Sequence, residues 1–299
     1  MTPADVPVLL IPFRRPDKIK RLIEALALVQ PKHIYILGDG PRPDNPKEAV
    51  LVAEARRIAT DISWPCTIHT HFKETNVGLT PNVVEGIDWF FSQVEMGIIF
   101  EDDCIPDPSF FTFCAELLER YKDDTRIMHI SGNNFQNGVT HGDGSYYFSH
   151  YSHNWGWATW RRAWNHYHTA VAHFAEYDRT GRINELPLSS RAKKFWMKLL
   201  RNTAIWDSRW LYTIWYMRGV CILPNQNLVS NIGFDAEATH TTEISALANI
   251  ENKPLTKIIH PSSTSIATAA DEHTFQTFFY VPLWKRVTLK TRAIIKKIL

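Results

Sequence analysis

The sequence predicts an α/β protein with a mainly parallel central sheet and helices on both faces. Short apolar runs of strand character alternate with stretches whose apolar residues recur at helical spacing. Polar and charged residues follow these runs directly, which is typical of sheets that bind ligands at the carboxyl ends of their strands. The chain has 299 residues and is 44% hydrophobic, enough to bury one large core or two closely joined lobes.

The predicted elements alternate along the first half of the chain. Strands are predicted at 6–11, 33–37, 66–72, 96–100 and 126–131, and helices at 17–30, 49–59 and 79–93. The spacing of Ile19, Leu22, Ile23 and Leu26 is helical, whereas the strand candidates are short continuous apolar runs. Because a helix separates successive strands, neighbouring strands are expected to be parallel.

Composition excludes several classes of function. A formal net charge of +2 argues against a nucleic-acid binder, because no broad basic excess is present to neutralise phosphates. Cys66, Cys104, Cys114 and Cys221 show neither metal-ligand nor disulfide-framework spacing, which fits a reducing cytoplasm. The N-terminus lacks a signal-peptide pattern and no apolar run is long enough to span a bilayer. We therefore expect a cytoplasmic protein.

An acidic cluster at the end of one predicted strand is the most informative feature. The apolar run that ends at Phe100 is followed directly by Glu101, Asp102 and Asp103. Carboxylates at the end of a buried strand suit Mg²⁺ or Mn²⁺, and these ions suit a substrate diphosphate. The alternative is an acidic turn before the next helix, which Asp107 is expected to cap.

Side chains after the other predicted strands suit a nucleotide. Arg14 and Arg15 follow the first strand and are candidates for phosphate binding, while Phe13 is a candidate for stacking on a base. Asp39 follows the second strand and is a candidate acceptor for a base or ribose. The alternatives are a solvated basic turn and an Asp-Gly turn. The first strand is not followed by G-x-G-x-x-G, so a dinucleotide site is not expected.

With these motifs in order, the chain resembles glycosyltransferases of the GT-A fold, the nucleotide-diphospho-sugar transferase fold with a Rossmann-like sheet, a D-x-D-type motif and an acceptor-side half. Bacterial hemolysin-like sugar transferases are the closest resemblance, and the enzyme that adds GlcNAc to the mannose core of N-glycans is more distant. Glu101-Asp102-Asp103 followed by Phe110-Phe111 carries this second likeness. The resemblance implies that Asp103 ligates the metal and that Asp102 and Glu101 belong to the donor site.

The resemblance extends to a turn and to a tryptophan-rich segment. Asn76-Val77-Gly78-Leu79 is similar to the N-x-G-L turn that many such transferases place near the donor, which implicates Asn76 and Gly78. Residues 153–164 contain a G-W-x-T-W segment found in several sugar transferases, and sugars pack their C–H faces on aromatic rings. The expected acceptor-binding residues are Asn133, Asn134, Trp155, Gly156 and Trp157.

The acceptor assignments have structural alternatives. Asn133 and Asn134 end a predicted strand and are equally explained as turn residues. Trp160 and Trp164 are expected to be buried rather than to touch a sugar. The whole tryptophan segment is alternatively explained as a helix that packs on the sheet.

Asp207 is the candidate general base. It lies in the segment Trp206-Asp207-Ser208-Arg209-Trp210, and flanking aromatic rings disfavour the charged form and raise a carboxyl pKa. The segment also resembles the place where the GlcNAc-transferase family keeps its catalytic aspartate. The alternative is that Asp207 is the N-cap of a helix through residues 211–217.

Two later segments complete the sequence assignments. The loop at 227–242 resembles the late loop that many GT-A enzymes fold over the donor, and His240 is the candidate second metal ligand against an ordinary loop histidine. From Trp284 onward, lysines and arginines interleave with aliphatic residues at helical spacing and no acid interrupts them. This predicts a basic amphipathic helix that lies on an anionic membrane surface or packs on the domain.

The predicted organisation is a glycosyltransferase domain at 1–260, with a nucleotide-sugar half at 1–131 and an acceptor half at 132–260, followed by an extension at 261–299. The predicted enzyme is a hexosyltransferase dependent on Mn²⁺ or Mg²⁺ that uses a nucleotide-diphosphate sugar, with UDP favoured. The acceptor is a glycan or glycolipid of bacterial surface polysaccharide synthesis. With Asp207 as the base the reaction is inverting, whereas a retaining mechanism is the better account if no base lies opposite the leaving group. The alternatives are a nucleotidyltransferase on a related sheet and a non-catalytic glycan-binding protein.

Overall fold

A computed structural model describes residues 1–234 and 250–280. The predicted metal ligand His240 and the predicted basic helix after Trp284 lie outside these residues, so both assignments stay predictions. None of the four cysteines forms a disulfide, and three of them, Cys104, Cys114 and Cys221, are buried as small core residues. Within the described ranges, no helix has both the length and the hydropathy that crossing a bilayer requires.

The described residues form ten strands and ten helices. The strands are β1 (Val8–Ile11), β2 (His33–Gly38), β3 (Thr67–Phe72), β4 (Met96–Glu101), β5 (Cys104–Pro106), β6 (Ile127–Ser131), β7 (Tyr146–Ser149), β8 (Trp157–Trp160), β9 (Val220–Pro224) and β10 (Val229–Asn231). The helices are α1 (Pro16–Leu26), α2 (Pro46–Thr60), α3 (Leu79–Gln93), α4 (Pro108–Arg120), α5 (Arg161–Trp164), α6 (Tyr167–Ala172), α7 (Phe174–Thr180), α8 (Ser190–Asn202), α9 (Trp206–Tyr216) and α10 (Thr268–Thr274). Short 3-10 turns at Pro3–Asp5 and Arg182–Glu185 and a π-helical turn at Phe275–Phe279 complete the set.

Eight of the strands form one sheet in the order β3-β2-β1-β4-β8-β6-β9-β7. Strands β1 to β4 are mutually parallel, and β6 and β9 run in the same direction. Strands β8 and β7 run opposite to the others, with β8 between β4 and β6. A mainly parallel α/β sheet of this kind confirms the predicted fold class and agrees with the Rossmann-like sheet that the resemblance implies.

Helices cover both faces of the sheet, as β1 illustrates. All four of its residues are apolar, so its side chains are buried under helices on either face. Val8 and Leu10 point into a core that α1, α2 and α4 complete. Leu9 and Ile11 point to the opposite face, where α3 and α9 pack. Side chains alternate between the two faces along a strand, so a continuous apolar run is what a strand buried on both sides requires.

The cap of α4 confirms the role predicted for Asp107. Its Oδ1 accepts hydrogen bonds from the backbone N of Ser109 at 2.8 Å and from the Ser109 Oγ at 2.6 Å, and Pro108 is the first helical residue. The side chain satisfies a backbone N–H that the helix itself leaves unpaired. Asp107 is therefore occupied at the helix and is not part of the acidic cluster upstream.

The tryptophan segment is a strand rather than the helix considered from sequence. Residues Trp157–Trp160 pair antiparallel with β4, Ile99 opposite Trp157, and with β6, Ser131 opposite Trp157. Large aromatic residues are as compatible with a strand as with a helix, and the partner strands decide between them. Trp160 and Trp164 are both 2% exposed, which confirms that they are core residues.

A buried aspartate in α10 links stability to pH. Asp271 is 4% exposed and accepts hydrogen bonds from the Ser149 Oγ at 2.5 Å and the His150 backbone N at 3.0 Å. Burial raises the pKa of Asp271 to about 7, although both hydrogen bonds oppose the shift. Because the folded-state pKa lies above the unfolded value of about 4, this group's stabilisation is complete below that pH and is lost as pH rises through about 7.

We therefore expect the Asp271→Asn variant to gain stability relative to the parent as pH rises. Between about pH 4 and about pH 7 the free energy of unfolding of the variant should improve relative to the parent by up to roughly 4 kcal/mol, since one pKa unit corresponds to about 1.4 kcal/mol. Denaturant titrations across this range measure the difference, with Glu272→Gln as the neighbouring control. A difference between parent and variant that does not change with pH would contradict the assignment.

Candidate functional site

The ends of β1 and β4 meet at one edge of the central sheet, and a separate two-stranded sheet of β5 and β10 lies next to them. Strands β1 and β4 are parallel neighbours in register, with Ile11 opposite Glu101, so the loop after β1 lies beside the acids after β4. Strand β5 follows these acids and pairs antiparallel with β10, Asn231 opposite Cys104. The backbone that directly follows β10, at Ile232 and Gly233, is thereby brought beside Asp103. This juxtaposition agrees with the sequence-based expectation for the loops after β1 and β4.

Arg15 bridges the two aspartates of the acidic cluster. Its Nη1 lies 2.9 Å from the Asp103 Oδ2, and its Nη2 pairs with the Asp102 Oδ1. The three side chains are mostly buried, with 17% of Arg15, 3% of Asp102 and 10% of Asp103 exposed. The backbone N of Phe13 donates to the Asp102 Oδ2 at 3.4 Å. In this structure Arg15 therefore neutralises carboxylates instead of presenting a free guanidinium for phosphate.

Negative charge at this edge exceeds what Arg15 can balance. Burial, together with the charges of Asp103, Asp102 and Asp207, raises the pKa of Glu101 to about 8. Burial also raises the pKa of Asp102 to about 6, against the opposing effect of Arg15. Carboxylates held together in a poorly solvated place disfavour one another's ionisation. A further cation would relieve this repulsion.

Asp207 belongs to this electrostatic group. Its charge is among the causes of the raised Glu101 pKa, after burial and the charges of Asp103 and Asp102, so Asp207 lies within electrostatic range of the acidic cluster. Asp207 is half-buried and is the second residue of α9, whose N-cap is Ile205. The alternative prediction that Asp207 is the N-cap is therefore wrong. Its Oδ1 accepts from the backbone N of Ser208 at 2.5 Å, which fixes the carboxylate at the start of the helix.

An aromatic stack backs this part of the site. Trp206, which precedes Asp207, stacks on Trp157 with ring centroids 5.9 Å apart, and Trp157 also stacks on His129 at 5.1 Å. Burial lowers the pKa of His129 to about 3, so its imidazole is neutral at physiological pH. The His129 Nδ1 accepts from the Trp210 Nε1 at 3.1 Å, which leaves the proton on Nε2. Trp206, the residue before Asp207, is therefore anchored in a buried aromatic stack.

The expectation that Trp157 contacts a sugar is wrong for this structure. Its ring is 1% exposed within the stack, so neither face is available to a ligand. Trp155 differs, because it is only partly buried and meets Phe135 and Phe234 edge-on at 5.0 and 5.4 Å. Gly156, between them, has a φ of +67° and its carbonyl accepts from the backbone N of Gly132 at 2.8 Å. Trp155 is the tryptophan of this segment that remains a candidate for acceptor contact.

The two asparagines after β6 have different roles. Asn134 is a turn residue, because its Oδ1 accepts from the backbone N of Gln136 at 2.8 Å and its Nδ2 donates to the Pro224 carbonyl at 2.7 Å. Asn133 is fully buried and its Nδ2 lies 3.3 Å from the His153 Nδ1. The Asn133 Oδ1 finds no hydrogen-bond partner among the residues that the structure describes. The structural alternative predicted for Asn134 is thus confirmed.

Asp39 stabilises the loop that precedes α3 by accepting hydrogen bonds from it. Its Oδ1 accepts from the backbone N of Gly40 and Val77, both at 2.9 Å, and its Oδ2 accepts from the Asn76 Nδ2 at 2.8 Å and the Gly78 N at 3.1 Å. Four donors saturate a carboxylate. A contact between Asp39 and a base or ribose would therefore have to replace one of these bonds. Gly78 has a φ of +91°, a conformation that disfavours other residues at this turn.

Arg14 is directed away from the acidic cluster. Its Nη1 pairs with the Glu48 Oε2 at 3.1 Å, and Glu48 is 2% exposed in the first turn of α2. The guanidinium carbon of Arg14 lies 6.0 Å from the centroid of the Phe13 ring. The structure thus separates the two arginines, with Arg15 at the acids and Arg14 at α2.

Sequence reasoning did not single out Asn231 and Gly233, which approach the acidic cluster from β10. The Asn231 Nδ2 donates to the Asp103 Oδ1 at 3.3 Å, and the backbone N of Ile232 donates to the Asp103 carbonyl at 2.9 Å. A Cβ at Gly233 would lie 2.0 Å from the Asp103 Oδ2 and 3.1 Å from the Arg15 Nη1. Only glycine leaves room for this approach, and the S-N-I-G sequence was the available signal.

The donor atoms present suit a divalent cation. Carboxylate oxygens are the ligands that Mg²⁺ and Mn²⁺ prefer, and the acidic cluster supplies them where excess negative charge is already concentrated. Within residues 1–234 and 250–280, no three His, Cys, Asp or Glu side chains are arranged around a common metal position. Arg15 holds the two aspartates in this structure, so it would have to yield to a metal ion.

Comparison with known proteins identifies no family. No protein-family model and no curated protein matches the chain. A 4-diphosphocytidyl-2C-methyl-D-erythritol synthase from Anaerococcus prevotii is similar in structure, with a TM-score of 0.34 and 11% identity over 56% of this chain and 76% of that chain. A mannose-1-phosphate geranyltransferase from Thermus thermophilus gives a TM-score of 0.36 and 13% identity over 73% of each chain. Likeness at this level assigns no activity.

Proposed function

We propose that the protein is a glycosyltransferase that moves a sugar from a nucleotide-diphosphate sugar to a hydroxyl of a glycan or glycolipid. The observation that carries the proposal is the convergence of Glu101, Asp102 and Asp103 with Asp207 at the carboxyl edge of a mainly parallel sheet. In this proposal the acidic cluster concentrates negative charge for a cation, and Asp207 on α9 supplies a separate carboxylate within electrostatic range of it. Metal-dependent sugar transfer needs both a cation site for the diphosphate and a separate general base for the acceptor hydroxyl.

The residues divide the chemistry as follows. Asp103 would hold Mn²⁺ or Mg²⁺, which would neutralise the diphosphate leaving group, and Asp102 would face the ribose or sugar of the donor. Asp207 takes the proton from the acceptor hydroxyl as the hydroxyl oxygen bonds to the anomeric carbon and the bond to the diphosphate breaks. Attack from the face opposite the leaving group inverts the anomeric centre. The partly exposed ring of Trp155 offers an apolar surface for the acceptor sugar.

The alternatives have weaker support from the same residues. A nucleotidyltransferase would be expected to carry a glycine-rich phosphate loop after β1, whereas this chain has Phe13-Arg14-Arg15-Pro16 with Arg15 paired to the acids. A glycan-binding protein that relies on the tryptophan segment keeps Trp155 but loses Trp157, because Trp157 is buried. Such a protein also has no need for an acidic cluster with raised carboxyl pKa values.

A thermal-shift screen tests the proposal. We expect one nucleotide-diphosphate sugar, with uridine as the favoured base, to raise the unfolding midpoint in the presence of Mn²⁺ and much less in the presence of a chelator. Binding to the native state at about 100 times the dissociation constant stabilises by about 2.7 kcal/mol, which is readily measured. The matching nucleoside monophosphate is the control for base recognition alone. No shift with any nucleotide sugar, with or without Mn²⁺, would refute the proposal.

A further inference from the structure

A cavity lies at the other end of α9 from Asp207. It has a volume of about 160 Å³ and is lined by residues that include His150, Tyr177, Arg182, Glu185, Trp215 and Arg218. Asp207 is in the first turn of α9 and Trp215 is in the last, a separation of about 12 Å along the helix at 1.5 Å per residue. We call this space the His150 cavity; it is distinct from the acidic cluster.

Two buried side chains of the His150 cavity have unused polar atoms. His150 is 9% exposed, and neither of its ring nitrogens has a hydrogen-bond partner among the described residues. The same holds within the described ranges for the hydroxyl of Tyr177, which is 2% exposed. Burying a donor without a partner is unfavourable, so such groups point to a ligand that the fold accommodates.

Hydrogen bonds hold the backbone of His150 in place. Its backbone N donates to the Asp271 Oδ2 at 3.0 Å, and its carbonyl accepts from the Trp215 Nε1 at 2.7 Å. The imidazole that this backbone carries lines the cavity. Burial lowers the pKa of His150, so the neutral ring offers one N–H donor to a ligand.

The charged residues of the cavity are in positive excess. The Arg182 guanidinium lies 5.4 Å from the Tyr177 ring centroid, and its Nη2 donates to the Tyr216 carbonyl at 3.1 Å. Arg218 pairs with Glu185 at 2.7 Å, and both side chains are largely exposed. Two arginines thus oppose one carboxylate. A cation is disfavoured here, whereas an anion meets several donors.

We propose that the His150 cavity binds a compact phosphate-type oxyanion, either inorganic phosphate or the phosphate of a small phosphomonoester. A tetrahedral anion accepts hydrogen bonds in several directions at once, which matches donors on α7, on the turn at Arg182 and on the segment after β7. Guanidinium groups are well suited to phosphate oxygens. The cavity volume of about 160 Å³ far exceeds the roughly 10–15 Å³ that a single water needs on the same measure, so the space admits a phosphate group.

Calorimetry of the full chain with a chelator present tests this proposal. We expect saturable binding of inorganic phosphate or of glycerol 1-phosphate at millimolar concentration or below. The Tyr177→Phe variant should bind about tenfold more weakly, because it loses one hydrogen bond to a charged acceptor. Without phosphate its unfolding midpoint should equal or exceed that of the parent, since the hydroxyl has no partner to lose.

Matched variants separate the cavity from general electrostatics. Arg182→Gln should weaken binding at least tenfold, whereas Arg179→Gln, an equal charge change on the exposed side of α7, should leave it unchanged. Preference for phosphate or for glycerol 1-phosphate identifies the source of the anion, and either result supports the site. Absence of saturable binding to the parent would overturn the proposal. Equal weakening by Arg179→Gln, or none by Tyr177→Phe, would overturn it too.

Discussion

The Asp207→Asn variant is expected to transfer sugar about 10²- to 10⁴-fold more slowly than the parent while it binds the donor equally well. The amide keeps the size of the side chain and can still accept from Ser208, so the start of α9 should be preserved. The variant cannot accept the proton of the acceptor hydroxyl. Single-turnover rates at saturating donor and Mn²⁺ measure the chemical step in folded protein.

Asp17→Asn is a matched control for this experiment. Asp17 lies in the first turn of α1, as Asp207 lies in the first turn of α9, so both variants lose a favourable interaction with a helix N-terminus. Only Asp207→Asn should lose turnover. A rate within a few-fold of the parent would mean that another residue is the base. Glu185 would be a poor replacement because it pairs with Arg218 in the His150 cavity, and Asp235 and Glu237 lie outside the described residues.

The Asp103→Ala variant is expected to lose metal-stimulated binding of the nucleotide sugar. Removing a residue that only orients a metal ligand typically costs 10- to 100-fold in affinity, so removing the ligand itself should cost at least about 100-fold. Arg15 keeps its pairing with Asp102, which should limit the effect on folding. Calorimetric titrations of the donor with and without Mn²⁺ measure the loss.

Asp107→Ala distinguishes metal binding from stability at nearly the same place in the chain. Loss of this N-cap should lower the free energy of unfolding by about 1 kcal/mol and leave metal-stimulated binding intact. The Asp103→Ala variant should show the reverse pattern. If both variants bind donor and Mn²⁺ like the parent, Asp103 is not a metal ligand.

Local patterns predicted the first half of the fold well. The apolar runs at β1 and β4 are continuous, so their periodicity does not distinguish strand from helix, but they are too short for a typical helix. Asp107-Pro108 is an unambiguous helix start. The boundary of α9 was harder, because Asp207 is equally suited to the N-cap and to the first turn. Strand β8 was missed, since its partners in β4 and β6 are distant in sequence.

The site was predictable in its position but not in its internal pairing. Parallel strand order places Arg15 and Asp39 at the edge that carries the acids, whichever partners their side chains choose. Arg15 could bind either a phosphate or a carboxylate, and Asp39 could accept hydrogen bonds either from a ribose or from backbone N–H groups of a loop. Arg15 pairs with Asp102 and Asp39 fastens the loop at Gly78. These choices depend on tertiary contacts and on ligand state, neither of which a local pattern encodes.

The insertion of β8 between β4 and β6 has a consequence for how the chain folds. A fragment that ends at residue 131 would leave both β4 and β6 with an open edge at the centre of the sheet, where apolar side chains cover both faces. Exposed central edges of this kind promote intermolecular pairing. The nucleotide and acceptor halves recognised in the sequence are therefore not independent folding units. Nascent chains should remain aggregation-prone until β8 has been synthesised and has closed the gap.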